Sequence, residues 1–282
     1  MTRTLRYLAL MMAVVGCSLT VAAQDKSEKK QDKKSGSMEC RNSGDFGDLF
    51  SHCEIKEQAV PAGGLITVDG KQNGGISIKG WDRNDLLVRA KIETRAPTQS
   101  EADALAQQVQ IATAGLNIHA EGPESRDKYQ WHVSYEVLVP RQSDLALTAH
   151  NGGISISEVA GRINFTTLNG GVALRRIGGA VTGKTTNGGV SVELAGMSWQ
   201  GEMLNVTTTN GGVNLTMPDN YSAHIETSTV NGNVASDFPL NVPMTDRGRL
   251  PKTLSVDLGT GGPTIRAVTT NGGVHLARTS AM

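Results

Sequence analysis

Aliphatic residues alternate with small or polar residues in short runs, and each run begins just after an asparagine-glycine step. A period of two is that of a β-strand with one buried face. The sequence therefore predicts many short strands, each beginning behind a tight turn. The aliphatic pairs are Ile76/Ile78, Ile154/Ile156, Val172/Leu174, Val190/Val192, Val213/Leu215 and Val274/Leu276.

The turn in front of each strand is itself repeated. Most copies have the sequence Asn-Gly-Gly, and five carry a threonine two positions before the asparagine: Thr167, Thr185, Thr208, Thr229 and Thr269. Asparagine and glycine tolerate the positive φ angles that a tight reversal needs, so we expect positive φ at each step. The repeated asparagines are Asn73, Asn151, Asn169, Asn187, Asn210, Asn231 and Asn271.

The spacing of the turns favours a stacked coil. Consecutive asparagines at 151, 169 and 187 are 18 residues apart, and a second glycine motif punctuates the middle of each unit. One unit cannot bury its own apolar face, whereas stacked units can, with their asparagines hydrogen-bonded in a ladder. We predict a mainly all-β, single-stranded β-solenoid. The alternative is a meander of Asn-Gly hairpins, which would have strands about ten residues apart.

The segment 54–140 has a different pattern, with alternating strands around one amphipathic stretch. Residues 98–110 are predicted to form a short helix, with Thr98 as its cap and Glu101 completing a capping box. We expect this segment to cap the coils. A single solenoid domain is therefore predicted for residues 39–282, with the Asn-Gly-Gly repeats in 141–278.

The N-terminus has the features of an export signal. Residues 1–23 combine a positive start with an apolar stretch, and residues 24–38 form a polar, lysine-rich segment that predicts a disordered linker. Two cleavage sites compete. One follows Ala23, and the other resembles a lipobox in which Cys17 is lipidated and tethers the protein to a membrane. An uncleaved membrane anchor is the third alternative.

Cys40 and Cys53 remain once Cys17 is lipidated or removed. In an oxidising compartment, two cysteines separated by a short loop are expected to form a disulfide. The alternative is a pair of unrelated thiols.

Composition narrows the functional classes. The chain has 27 basic and 27 acidic residues, so it lacks the basic footprint of a nucleic-acid-binding protein. Its six histidines show no metal-ligand spacing, and no nucleophile elbow or phosphate loop occurs. We therefore predict no catalytic residue, no cofactor and no metal site.

The unit Thr-x-Asn-Gly-Gly-Val-x-Leu/Val, behind an exported leader and a helix-bearing segment, resembles the bacterial "putative adhesin" domain family of unknown function. The resemblance covers about residues 54–278. It implies a β-helical envelope protein and supplies no catalytic residues.

The favoured hypothesis is a non-enzymatic, exported envelope protein that binds or scaffolds an envelope protein or polysaccharide in the periplasm or at the cell surface. The alternative is a polysaccharide-active β-helix enzyme, and a weaker one is a self-assembling stack. The expected binding surface is the outward row between the aliphatic residues: Ser77, Ser155, Ala173, Ser191, Asn214 and His275.

Overall fold

The computed structural model of the chain describes residues 38–40 and 49–279. The predicted signal peptide at 1–23, with Cys17, lies outside the described residues, as does the predicted linker up to residue 37. Within the described ranges, strands dominate.

Twenty strands and one α-helix are found among the described residues. The helix is α1 (Gln99–Gln108). The strands are β1 (Phe50–Pro61), β2 (Leu65–Asp69), β3 (Ile76–Trp81), β4 (Asp85–Ala96), β5 (Gln110–Ala112), β6 (Asn117–Glu121), β7 (Gln130–Pro140), β8 (Asp144–Ala149), β9 (Ile154–Ser157), β10 (Ala160–Asn169), β11 (Val172–Arg175), β12 (Gly178–Asn187), β13 (Val190–Glu193), β14 (Met203–Asn210), β15 (Val213–Met217), β16 (Ala223–Asn231), β17 (Val234–Ser236), β18 (Thr253–Leu258), β19 (Thr264–Asn271) and β20 (Val274–Arg278).

The strands form two sheets of ten, and each coil of the chain contributes one strand to each sheet. Within the repeats the neighbouring strands are parallel and in register, so that Val172 lies between Ile154 and Val190. The predicted β-solenoid is therefore confirmed. A meander of hairpins is wrong for the repeats, because hairpin strands would pair antiparallel.

The core lies between the two sheets. Val172 and Leu174 are 3% and 0% exposed, and the other aliphatic pairs are buried in the same way. Burying one such side chain contributes about 1.5–3 kcal/mol, and a single coil has nothing to bury it against. Stacking is thus what makes the short strands stable.

The first glycine of each turn is explained by close stacking rather than by backbone handedness. No asparagine or glycine of the seven Asn-Gly steps has a positive φ, although Lys71, two residues before Asn73, has a φ of 52°. Instead, a Cβ atom on Gly170 would overlap the carbonyl oxygen of Gly152 in the neighbouring coil. Positive φ occurs at the opposite corner, at Glu158 (59°) and Arg176 (49°). The expected positive φ at Asn-Gly is therefore wrong, and the first glycine is needed there for the close approach of neighbouring coils.

The order of the coils differs from the order of the chain. The coil of β19 and β20 lies between the coil of β14 and β15 and the coil of β16 and β17. Strand β18 then pairs antiparallel with β16 and covers that end of one sheet. The last repeat of the chain is thus an interior coil.

The other end of the stack is closed by the helix-bearing segment. Strands β6 and β7 form a coil beside β2 and β3, and the antiparallel strands β5, β4 and β1 follow outward. Helix α1 begins behind Thr98, whose side-chain oxygen accepts a hydrogen bond from the Glu101 amide at 3.3 Å. The predicted cap helix is present and buries Ala102, Leu105 and Ala106.

The five repeat threonines are buried and bond one coil to the next. Each hydroxyl donates to the carbonyl of the first turn glycine in the adjacent coil, at 2.7–2.8 Å, from Thr167, Thr185, Thr208, Thr229 and Thr269. The threonine therefore satisfies a carbonyl on the inner side of the turn.

Thr185→Val is expected to lower the free energy of unfolding by about 1–2 kcal/mol, since valine keeps the shape but removes the donor to the Gly170 carbonyl. Thr182→Val, on the exposed side of the same strand, is the control and should change it by less than about 0.5 kcal/mol. Urea denaturation measures both, and equal effects would contradict the role of the buried hydroxyl.

Candidate binding site

The seven repeat asparagines lie in one line along a corner of the solenoid. Six side-chain amides each donate to the Oδ1 atom of the next asparagine, at 2.7–2.9 Å. All six bonds run in the same direction. Within the line, Asn73 at one end therefore only accepts a hydrogen bond, and Asn231 at the other end only donates one. The order along the line is Asn73, Asn151, Asn169, Asn187, Asn210, Asn271 and Asn231.

The two cysteines of the described residues lie at disulfide distance, with their Cα atoms 5.7 Å apart. This separation is within the range that a disulfide spans. Cys53 belongs to β1, the edge strand of its sheet, so the pair ties the preceding segment at Cys40 to the capped end.

The predicted outward row is present as a line of cross-strand neighbours, from Ser77 through Ser155, Ala173, Ser191 and Asn214 to His275. At its capped end the row continues into charged pairs, where Arg89 bonds Glu57 at 2.7 Å and Glu136 at 2.5 Å. The row consists mainly of small and polar side chains, which offer hydrogen-bonding groups along the face of the sheet.

Charged residues at the corner opposite the asparagines pair with one another. Arg141 donates to Asp82 at 2.7 Å and to Glu158 at 2.6 Å, and Arg176 donates to Glu158 at 2.9 Å. Hydrogen bonds from Arg141 hold the pKa of Asp82 below its ordinary value, and those from Arg141 and Arg176 do the same for Glu158. These carboxylates stay ionised near neutral pH, which does not suit a general acid.

One trio of side chains has the atom order of a nucleophilic triad. His224 contacts Asp257 through Nδ1 at 2.7 Å and Ser255 through Nε2 at 3.2 Å, because β16 and β18 pair antiparallel. The Asp257 side chain is 64% exposed, however, and such triads depend on a buried carboxylate. We interpret the trio as cross-strand hydrogen bonds on the outer face. No cluster that could hold a metal is found among the described residues.

The strongest candidate for a binding site lies at the capped end of the asparagine line. In the coil of β6 and β7 the Asn-Gly-Gly turn is replaced by the longer loop 122–129. A cavity of 530 Å³ lies there, next to the turn of the first repeat. Its lining includes Lys71, Asn73, Ser125, Trp131, His132 and Tyr135.

Tyr135, one of the residues that line this cavity, carries an unusual buried polar group. The residue is 1% exposed, and its hydroxyl has no hydrogen-bond partner among the described residues. Burial raises the pKa of the Tyr135 hydroxyl, so it remains a neutral donor. An unsatisfied buried hydroxyl costs about 1–3 kcal/mol, which a bound polar atom would recover.

Trp131 supplies the aromatic wall. Its indole nitrogen donates to the carbonyl of Pro123 at 2.8 Å, which holds the ring against the loop. A neighbouring cavity of 550 Å³ shares Asn73, Ser125, Trp131 and His132 with the first, so we refer to the two together as the end groove. Both volumes fall in the range of small-ligand sites.

Of the residues that line the end groove, only Asn73 and Asn151 are named from the sequence, both as members of the asparagine repeat. The available signal was the gap of 78 residues between Asn73 and Asn151, which marked an insertion at this end. The pairing of β6 and β7 beside the first repeat is non-local, so the sequence pattern did not reveal a cavity there.

The architecture defines a class: a two-sheet β-solenoid built on an asparagine ladder and capped at one end by a helix-bearing segment. The chain belongs to the Toastrack DUF4097 family, whose sequence profile matches residues 59–277. A comparison with curated proteins gives no match.

Solved structures similar to this chain share little sequence with it. A putative cell adhesion protein from Clostridium sporogenes is 10% identical with a TM-score of 0.39, over 82% of this chain and 100% of its own. A putative adhesin from Bacteroides fragilis is 10% identical with a TM-score of 0.36, over 80% and 97%. A putative lipid binding protein from Parabacteroides distasonis is 12% identical with a TM-score of 0.29, over 81% and 97%.

Within the part of the chain that the structure describes, no helix has the length and apolar character needed to cross a membrane.

Proposed function

We propose that this protein is an exported, non-enzymatic envelope protein of the adhesin type, which binds an envelope protein or polysaccharide through the end groove. The observation that carries the proposal is the cavity lined by Tyr135, whose buried hydroxyl has no hydrogen-bond partner among the described residues. Such a group is better suited to receiving a ligand than to stabilising the fold.

Export is supported by the sequence of residues 1–23, and the following lysine-rich segment is suited to spacing the solenoid from a membrane. The location is then the periplasm or the cell surface. With Cys17 lipidated, the protein would be tethered there as a lipoprotein.

Binding without catalysis is supported by the state of the ionisable groups. The Asp82 and Glu158 carboxylates accept hydrogen bonds from arginines, and the Asp257 carboxylate of the His224 trio is exposed to solvent. No turnover is therefore expected when the folded protein is incubated with a panel of envelope polysaccharides. Release of oligosaccharides that Ser255→Ala or Glu158→Gln abolishes would establish the enzymatic alternative instead.

Photo-crosslinking in intact cells tests the binding role. A photoreactive residue in place of Ser125, which is exposed at the groove, should capture a specific protein or polymer. The same residue in place of Thr182, exposed on the face of the other sheet, is the control and should not capture it. Absence of any enriched partner at Ser125 would overturn the proposed function.

Cys17→Ser is expected to abolish labelling by a lipid analogue and to release the protein from the membrane fraction, since the serine offers no thiol for lipidation. Thr20→Ala, which leaves the lipobox intact, serves as the control and should be labelled normally. Unchanged membrane retention of Cys17→Ser would show that the lipobox interpretation is wrong.

A further inference from the structure

Asn73 is the last residue of the asparagine line at the end groove, and its side-chain amide is a hydrogen-bond donor. Six of the seven amides donate toward the capped end, and Asn73 Oδ1 accepts the last of these bonds, from Asn151 at 2.9 Å. If the ladder geometry continues, the Asn73 amide nitrogen is directed to the position where the next coil would supply another asparagine. A ligand carbonyl placed about one strand spacing beyond, ~4.8 Å along the stack, would continue the ladder.

The charged groups of the first cavity are already paired within the protein. Lys71 lies 3.2 Å from Asp69, Glu121 lies 3.1 Å from His119, and His132 lies 3.0 Å from Glu93. The cavity therefore favours an uncharged ligand over a phosphate or a carboxylate.

Three requirements follow for that ligand. It needs a carbonyl for the Asn73 amide, a hydroxyl or ring oxygen for the buried Tyr135 hydroxyl, and an apolar ring face for the Trp131 indole. An N-acetylated hexosamine carries all three on one neutral ring. We propose that the end groove binds an N-acetylhexosamine unit of an envelope glycan, with its acetamido carbonyl on Asn73. The proposal rests on the proposed binding function and adds the chemistry of the ligand.

Calorimetric titration of the full chain compares two tetrasaccharides that differ at the acetamido group. Tetra-N-acetylchitotetraose should bind, and cellotetraose should bind at least about tenfold more weakly, which corresponds to about 1.4 kcal/mol. Equal affinity for the two sugars would overturn the role of the amide. An asparagine-rich peptide that binds in place of both sugars would overturn the sugar assignment.

Two substitutions separate the contacts. Tyr135→Phe removes only the unpartnered hydroxyl, so binding should weaken about tenfold while the unfolding midpoint is unchanged or raised. Asn73→Asp keeps the acceptor for Asn151 but replaces the donor, and binding should fall by a similar factor. Asn231→Asp, which removes a ladder bond at the far end, is the matched control and should leave affinity unchanged.

The results also separate this proposal from the binding function on which it rests. Failure of both sugars, while the Ser125 crosslink still captures a partner in cells, would overturn the N-acetylhexosamine assignment alone. Failure of both the sugars and the crosslink would overturn the two together. A Tyr135→Phe variant that loses stability but keeps full affinity would show that the hydroxyl serves the fold.

Discussion

Gly170→Ala is expected to lower the free energy of unfolding by about 3 kcal/mol or more, among the largest effects of a single methyl group in this molecule. The added Cβ would overlap the backbone carbonyl of Gly152, which is part of the adjacent turn and has no side-chain freedom to move aside. Relief requires the coils to separate. That separation strains the side-chain hydrogen bond from Asn169 to Asn151 and the hydrogen bond from the Thr167 hydroxyl to the Gly152 carbonyl.

Gly171→Ala is the matched control, one residue further along the same turn. Its Cβ would lie 3.6 Å from the carbonyl oxygen of Gly189, which is ordinary van der Waals contact, and its backbone lies in a region open to alanine. The expected change is within about 0.5 kcal/mol. Urea denaturation followed by tryptophan fluorescence measures both variants. Similar losses in the two would show that the close approach at the first glycine is not what the turn requires.

The repeat was predictable from sequence because its causes are local. Alternation of Val172 and Leu174 specifies a strand with one buried face, and the recurring turn specifies where the next strand begins. The reason for the glycine was not predictable. Glycine is selected both where two coils approach closely and where the backbone has a positive φ. Only the stacked structure shows that Gly170 is needed for the close approach.

Only part of the candidate site could be predicted from the sequence. The asparagine line followed from the repeat, and Asn73 was therefore on it. Trp131 and Tyr135 belong to an alternating strand whose pattern predicts burial for some members but not a missing hydrogen-bond partner. That feature depends on the 122–129 loop and on pairing across the insertion, which are tertiary properties.

Removing residues 264–282 is expected to disrupt the C-terminal third of the solenoid rather than one terminal coil. Strands β19 and β20 supply the buried residues Ile265, Ala267, Val274 and Leu276, and they are the inner neighbours of β16 and β17. Without them, those two strands lose their parallel partners. Limited proteolysis should then cut within residues 223–258, and the unfolding midpoint should fall sharply relative to the full chain.

Had the coils followed chain order, β16 would pack on β14, and the same truncation would leave residues 223–258 protected. Double-cysteine variants distinguish the two orders in the intact chain. Asn205 and Arg266 are cross-strand neighbours, so cysteines there, about 4.8 Å apart, should form a disulfide. Cysteines at Asn205 and Glu226 are two strand spacings apart, about 10 Å, and should not. The reverse result would place the last repeat at the end of the stack, and the truncation would then cost only a terminal coil.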